Sequence, residues 1–226
     1  MTSWSTFWLD LVDQWPLILA GLYKTLLLAA IVSVTGLALG ILVLYFHGSS
    51  RPVVRRIVSG YISFFVGTPL LVLLFLMYYG LPRVGLGMSP IAVALVGFTL
   101  NIAAYNSAYL STARNALDPV ELEAARAQGF SDRHVFFLIT LPQVLRMSIP
   151  ALTNQVILNL KDTSIAFLIQ YTEFFARMQE LASTNFQFFK AYLVSAGVYL
   201  TLVSIVVLAA RSIEKRLRLP GSYTPP

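Results

Sequence analysis

The sequence of 226 residues has no cysteine and only two histidines, His47 and His134. The lack of cysteine excludes disulfide bonds and thiol chemistry, and so few histidines cannot form a His/Cys cluster for a metal ion. The sequence also lacks the Gly-x-x-x-x-Gly-Lys-Ser/Thr loop that binds nucleotide phosphates. Both histidines fall in or beside polar loops, so no serine has a histidine partner for nucleophilic catalysis. We therefore expect no catalytic residue, no metal site and no cofactor bound by this chain.

Charged residues are scarce as well. They make up 12% of the chain, against about 25% in soluble domains, while hydrophobic residues make up 57%. A soluble chain of this length could not bury that much apolar surface, which predicts an all-α membrane protein that forms one unit over residues 1–226. The net charge of +6 suggests a basic face toward lipid head groups or a partner. Because the basic residues are scattered over loops, we expect no nucleic acid.

Long apolar segments are abundant, and they predict about five transmembrane helices. A stretch of ~20 apolar residues is long enough to cross the ~30 Å hydrocarbon core of a membrane. Residues 165–171 form a further apolar run that is too short to span, which predicts a broken or re-entrant element. The five predicted helices cover residues 26–46, 57–79, 88–110, 136–160 and 191–210.

Two of these helices contain residues that shape their backbone. The first has Gly36 and Gly40, a small-residue spacing that lets helices approach closely. The second has Gly67, Thr68 and Pro69 near its middle, and proline removes a backbone hydrogen bond, so a kink is expected. Such a kink can line a transport pathway, or it can serve packing alone.

The basic residues are distributed unevenly between the loops. Ten of them lie in residues 47–56, in the central polar stretch and in the carboxyl-terminal tail, whereas residues 80–87 contain one, Arg83. By the positive-inside rule the first three segments are cytoplasmic, which places the amino terminus outside and the carboxyl terminus inside. Residues 1–16 contain no basic residue and therefore lack the start of a cleaved signal peptide. Their aromatic residues suit an amphipathic segment at the membrane interface.

The most polar stretch of the chain covers about residues 114–135, between the third and fourth predicted helices. Asp118 can cap a helix over residues 119–128, with Glu121 reaching back to the cap. Gly129 follows, as glycine does just past a helix end. Ser131 or Asp132 can cap the next helix. The stretch is thus predicted to be a helix, a glycine bend and a second helix.

Three features of this stretch have a characteristic spacing: Glu123-Ala124-Ala125, then Gly129, then Leu141-Pro142. This spacing resembles the cytoplasmic EAA loop of permease subunits in ABC importers. Residues 67–70, 78–82 and 161–164 are similar to segments of the polar amino-acid branch of that family. The resemblance covers roughly residues 17–216.

The resemblance implies a type I ABC importer permease in the bacterial cytoplasmic (inner) membrane, which carries a polar amino acid. It also implies the partners: separate ATPase subunits that use ATP and Mg²⁺, a second permease subunit in a homodimer or heterodimer, and an extracytoplasmic solute-binding protein. In this family the EAA loop contacts the ATPase. The coupling residues that the resemblance implies here are Glu121, Glu123, Ala124, Ala125, Gly129 and Asp132.

Candidates for the substrate pathway are polar groups in or beside the predicted helices. Lys161 can neutralise a substrate carboxylate and Glu173 a substrate ammonium, or Lys161 can pair with Asp162 in a structural role. Many members of the amino-acid branch carry Glu and Arg in the third helix, where this chain has Ala108 and Ser111. That departure leaves open whether this subunit has its own substrate site. The candidate residues are Thr68, Asn101, Tyr105, Asn154, Lys161, Thr163, Ser164 and Glu173.

Other functions fit the sequence less well. A permease for another small solute, such as an opine or an amino-acid derivative, is one alternative. A channel or a membrane scaffold without an ATPase is another. A membrane-embedded enzyme is disfavoured by the missing catalytic groups. An ATPase subunit that copurifies with the chain would separate an importer from the other classes.

Overall fold

The structure of the protein, a computed structural model, describes the backbone of residues 4–217 and the side chains of residues 4–212. Within that range the regular structure is helical throughout, which confirms the predicted fold class. Short 3-10 turns cover Leu81–Val84 and Thr163–Ile169, and π-helical turns cover Leu76–Gly80 and Val135–Thr140. The α-helices are α1 Trp4–Asp13, α2 Trp15–His47, α3 Pro52–Gly67, α4 Leu70–Phe75, α5 Pro90–Asn115, α6 Pro119–Ala127, α7 Asp132–His134, α8 Leu141–Asp162, α9 Phe174–Asn185 and α10 Phe188–Leu217.

Four helical segments in the described range are long and apolar enough to cross a membrane, and the bent pair formed by α3 and the segment after it makes up to five. The predicted number of spans is therefore confirmed. The first span is longer than predicted, since α2 begins at Trp15. Lys24 lies within this helix, and its Nζ donates a hydrogen bond to the hydroxyl of Thr172 at 3.2 Å.

The second span is broken rather than kinked, which corrects the prediction. Helix α3 ends at Gly67, and the segment that starts at Leu70 leaves at an angle of 102°. The cause is local: Pro69 has no N–H, and a proline drives the preceding residue out of the helical region. Thr68 accordingly has an extended backbone, with φ −100° and ψ 124°.

The tightest helix contact is between α2 and α5, and it uses the two glycines noted in the sequence. A Cβ atom at Gly36 would overlap the side chain of Ile102, and one at Gly40 would lie 3.2 Å from the carbonyl oxygen of Ala103. The predicted close approach at this glycine pair is therefore confirmed. The adjoining core lies between α2, α4 and α5 and contains Leu28, Val32, Leu73, Leu74, Val93, Phe98 and Ile102.

The fourth span follows one helical path from Asp132 to Ile169, so the break predicted after residue 160 is absent. Pro142 is accommodated because it is the second residue of α8, directly after the π-helical turn. The chain instead turns at Gln170, whose φ is +65°. Residues 165–169 thus extend the span as 3-10 turns, and residues 165–171 do not form a separate re-entrant element.

The amino-terminal segment is the helix α1, and one side of it packs against the protein. Phe7 and Leu11 are buried against a cluster that includes Phe174 and Met178, whereas Trp8 is exposed. This arrangement confirms an amphipathic helix, and its position at the membrane interface stays a prediction. Helix α10 is longer than the predicted last span. The basic tail residue Arg218 and the side chains of Lys215 and Arg216 lie outside the described residues.

Candidate coupling segment and transport pathway

The central polar stretch has the predicted helix–bend–helix form. Asp118 caps α6, because its Oδ1 accepts a hydrogen bond from the backbone N–H of Val120 at 2.9 Å. Helix α6 ends at Ala127, and Gly129 follows with φ +87°. Only glycine takes that conformation without steric cost, so the bend depends on this residue. We call residues 118–134 the coupling segment.

Glu121 does not reach back to the cap, which corrects the predicted capping box. Its Oε2 accepts a hydrogen bond from Nε2 of Gln143 at 3.1 Å. Gln143 lies in the first turn of α8. The carboxylate therefore ties α6 to the start of a spanning helix.

The second half of the coupling segment is fixed by two polar contacts. Ser131, rather than Asp132, caps the short helix α7, since its Oγ accepts from the backbone N–H of His134 at 3.4 Å. Asp132 instead forms an ion pair with Arg126, with 3.0 Å between Oδ1 and Nε. This exposed pair spans the glycine bend and links the end of α6 to the start of α7.

The Glu-Ala-Ala sequence divides between two environments. Ala125 is buried, and the neighbouring Val135 and Phe136 are buried as well. Glu123 and Ala124 are exposed, and Glu123 has no hydrogen-bond or ion-pair partner among the described residues. A small buried alanine lets α6 lie close to the spanning helices, while the exposed pair presents a carboxylate beside a small surface. Such a surface suits close contact with another protein.

Three of the predicted pathway residues meet at the break in the second span. Thr68, Asn101 and Tyr105 line a cavity of about 360 Å³. Nδ2 of Asn101 donates to the carbonyl oxygen of Phe65 at 3.1 Å, and the hydroxyl of Tyr105 donates to that of Val66 at 3.4 Å. These carbonyls are left without helical partners where α3 ends, so the polar groups on α5 stabilise the break.

Four other predicted pathway residues do not line this cavity. Asn154 and Lys161 are exposed, and no ion pair joins Lys161 to Asp162 in the described part of the chain. The hydroxyls of Thr163 and Ser164 donate to carbonyl oxygens of the preceding turn, at 2.8 Å in each case. The two hydroxyls thus provide hydrogen-bond donors for carbonyl groups at the end of α8.

Glu173 lies elsewhere, in a fully buried position at the start of α9. Its carboxylate accepts hydrogen bonds from the backbone N–H groups of Phe175 and Ala176 and from the hydroxyls of Thr25 and Tyr199. Burial raises the pKa of Glu173, and these hydrogen bonds offset only part of the rise. Each oxygen is already engaged, so the structure gives this carboxylate a role in joining α2, α9 and α10.

Residues 36–219 match the family described as binding-protein-dependent transport system inner membrane component. The chain belongs to this family. It is therefore a permease subunit of the ABC importer class, located in the bacterial inner membrane. The ABC ATPase and the solute-binding protein are the partners with which this family works in general. Membership confirms the resemblance that the EAA spacing indicated.

Individual relatives agree with the family match. A probable amino-acid ABC transporter permease protein, PatM of Vibrio harveyi, is 35% identical over 94% of this chain and 96% of its own length. The L-cystine transport system permease protein TcyB of Bacillus subtilis is 33% identical over 92% of this chain and 90% of its own. A solved structure, the crystal structure of an amino acid ABC transporter with histidines, is 27% identical with a TM-score of 0.83 and covers 92% of this chain and 97% of that chain.

Sequence reasoning missed two residues of the permease cavity, Gln155 and Asp162. Nε2 of Gln155 donates to Oδ1 of Asn159 at 2.8 Å, while its Oε1 is buried without a hydrogen-bond partner. A signal was available: the two residues are seven apart on α8 and so lie on one face of the helix. Lys161, the predicted charged residue of this helix end, is exposed and does not line the cavity.

Proposed function

We propose that this permease carries an amino acid across the inner membrane through the cavity at the α3–α4 break, driven by a separate ATPase. The observation that carries the proposal is the set of polar groups around the cavity. Asp162 is its one charged lining residue in the described part of the chain. Its volume of about 360 Å³ falls at the lower end of ligand pockets, which span ~300–1,000 Å³. A small solute fits such a space.

The negative charge of Asp162 favours binding of the ammonium end of an amino acid in the cavity. An ammonium group satisfies the carboxylate of Asp162, which lines the cavity. Thr68 supplies a hydroxyl donor for the substrate carboxylate. A carboxylate at membrane depth is costly unless it is used, which favours a functional role for Asp162. Substrates with an exposed cationic nitrogen are therefore expected, and anionic ones disfavoured.

The coupling segment supplies the link to the ATPase. Its exposed Glu123 and Ala124 contact the partner, Ala125 anchors α6 to the spanning helices, and Gly129 sets the bend. Glu121 and Asp132 hold the segment in shape through Gln143 and Arg126. The ATPase, and not this chain, binds ATP and Mg²⁺. A second permease subunit, identical or different, completes the pathway because one subunit of this size does not enclose a channel.

The test is uptake by the reconstituted complex of permease, ATPase and binding protein. We expect Asp162→Asn to lower amino-acid uptake at least tenfold, because a charged hydrogen bond contributes about 1.5–3 kcal/mol and each ~1.4 kcal/mol is a factor of ten. Lys161→Ala is the control, since Lys161 is exposed and outside the cavity. It should retain uptake within about twofold.

Assembly is checked in the same preparations by copurification of the ATPase. Wild-type uptake in Asp162→Asn, or a larger loss in Lys161→Ala, would place the substrate site elsewhere. Competition by an opine or another amino-acid derivative, set against free amino acids, identifies which solute the permease carries.

A further inference from the structure

A second and larger cavity lies beside the coupling segment. Its volume is about 520 Å³, and it is bordered by the end of α2, the start of α3, the end of α5 and the π-helical turn before α8. Its lining includes three arginines and one acidic residue. The charged lining residues are Arg51, Arg114, Arg126 and Asp132. We call this space the arginine cleft.

The charges in the arginine cleft are not balanced. Arg126 and Asp132 form an ion pair with each other. Arg51 and Arg114 have neither an ion-pair partner nor a side-chain hydrogen-bond acceptor among the described residues. Two guanidinium groups with free donors therefore share one concave space. Like charges in such a space repel, so an anion bound between them is favourable.

The backbone of the cleft adds to this preference. Arg51 is the N-cap residue of α3, and no side chain caps that helix end. Pro52, its first residue, has no N–H, so the partial positive charge rests on the N–H groups of the next residues, and Val54 in this first turn lines the cleft. Ser49 and Ser50 lie in the same loop and provide hydroxyl groups.

Gly48 keeps the cleft in its present form. A Cβ atom at this position would overlap Nη1 of Arg114 and lie 2.7 Å from Nη2. The φ of Gly48 is −81°, so an alanine meets no backbone strain there. The absence of a side chain therefore lets the guanidinium of Arg114 lie over the loop that leads to Arg51. Gly48→Ala moves that guanidinium without changing the charge of the protein.

We propose that the arginine cleft binds a phosphate-bearing anion. Guanidinium groups hold phosphate oxygens through two parallel hydrogen bonds, and two such groups with an uncapped helix end form a complete set of donors. The phosphate belongs either to the head group of an anionic lipid or to a free phosphate ion. The lipid source rests on the proposed cytoplasmic position of the coupling segment, since anionic head groups are abundant at that surface.

Occupation of the cleft has a consequence for transport. Arg126 and Asp132 belong to the coupling segment, while Arg51 belongs to the loop between the first two spans. A bound phosphate joins these two parts and adjusts the position of the coupling segment relative to the spanning helices. The anion therefore acts as a regulatory ligand of the permease, separate from the transported solute.

The experiment uses the permease–ATPase complex in lipid nanodiscs. Arg114→Gln removes one guanidinium, and Gly48→Ala displaces it at constant charge. Arg55→Gln is the matched control, since Arg55 is exposed and lies outside the cleft although it is close in sequence to Arg51. One arm adds inorganic phosphate to nanodiscs of phosphatidylcholine alone and measures the melting temperature against chloride at equal ionic strength. The other arm adds phosphatidylglycerol and counts retained lipid by native mass spectrometry.

One of the two probes, phosphate or phosphatidylglycerol, should bind to the wild-type complex. We expect Arg114→Gln and Gly48→Ala to weaken that binding by about tenfold, and Arg55→Gln to leave it unchanged. Stabilisation by phosphate in phosphatidylcholine identifies a free ion, and retention of phosphatidylglycerol alone identifies a lipid. An equal loss in Arg55→Gln, or binding of neither probe by the wild-type complex, overturns the proposal. If the ATPase does not copurify, the coupling proposal fails, and the same two probes on the permease alone still decide the arginine cleft.

Discussion

At the scale of single residues, the buried side chain of Glu173 joins several helices through hydrogen bonds. The carboxylate is fully buried and accepts hydrogen bonds from two backbone N–H groups and two hydroxyls. Thr25 lies on α2 and Tyr199 on α10, so one side chain joins both spans to the start of α9. Loss of such an acceptor leaves several buried donors unpaired, each at a cost of about 1–3 kcal/mol.

The raised pKa of Glu173 predicts a pH-dependent stability. The folded protein holds this proton more tightly than the unfolded chain, whose pKa lies near the ordinary value of 4.5. The stabilisation is complete below that value and is lost as pH rises through the pKa of the folded state. Each unit of pKa difference corresponds to about 1.4 kcal/mol. We therefore expect the melting temperature of the wild-type complex to fall as pH rises above the unfolded-state value near 4.5, and to fall more steeply than that of Glu173→Gln.

Thermal unfolding in detergent, followed by size-exclusion chromatography, measures these slopes. The control is Glu180→Gln, because the side chain of Glu180 is 51% exposed and lies on the same helix. Its slope should match that of the wild type. Equal slopes in the wild type and in Glu173→Gln would show that folding does not raise the pKa of this carboxyl group.

At the scale of secondary-structure elements, the coupling segment depends on one backbone conformation. Gly129 has φ +87°, and no neighbouring atom occupies the space where a Cβ would lie. A side chain at this position therefore costs backbone strain rather than a clash. The spanning helices do not involve Gly129, so damage there should change partner binding and spare membrane insertion.

We expect Gly129→Asp and Glu123→Lys to insert at normal levels and to lose the ATPase on purification. Removal of the Glu123 carboxylate costs a charge-assisted contact of about 1.5–3 kcal/mol, which is a roughly ten- to hundred-fold weaker association. Membrane abundance, ATPase copurification and uptake should be measured together. Gly129→Asn is the control for the charge that Gly129→Asp adds, because asparagine and aspartate both tolerate positive φ better than most residues. Normal uptake with a retained ATPase in both test variants would show that this segment does not couple the two subunits.

At the scale of the whole molecule, the distribution of basic residues predicts the orientation in the membrane. The loop 80–87 should face outside and the coupling segment inside. The chain has no cysteine, so a single introduced cysteine is the only thiol of this subunit that a reagent can label. Leu86→Cys is a better outer probe than a change at Gly85, whose φ is +83°. Leu86→Cys should react with an impermeant maleimide in intact cells, and Ala127→Cys only after permeabilisation. The opposite labelling pattern would invert the proposed topology.

The sequence predicted those features that depend on neighbours along the chain. Hydropathy over ~20 residues sets the spans, the Asp118 cap bonds an N–H two residues away, and the bend at Gly129 follows from glycine itself. Local rules failed where a distant partner competed. Glu121 does not make the predicted capping contact, because its carboxylate accepts a hydrogen bond from Gln143 of a later helix.

The sequence by itself determined the class of protein, the number of spans and the form of the coupling segment, since hydropathy, caps and glycine conformation act within a few residues. Only the tertiary structure decided which polar groups share a cavity. It brought Asp162 and Gln155 to the break at Thr68, buried Glu173 between three helices, and placed Arg51 and Arg114 around one cavity. Each of these arrangements joins helices far apart in the chain, and their packing, rather than any local preference, fixes the distances between them.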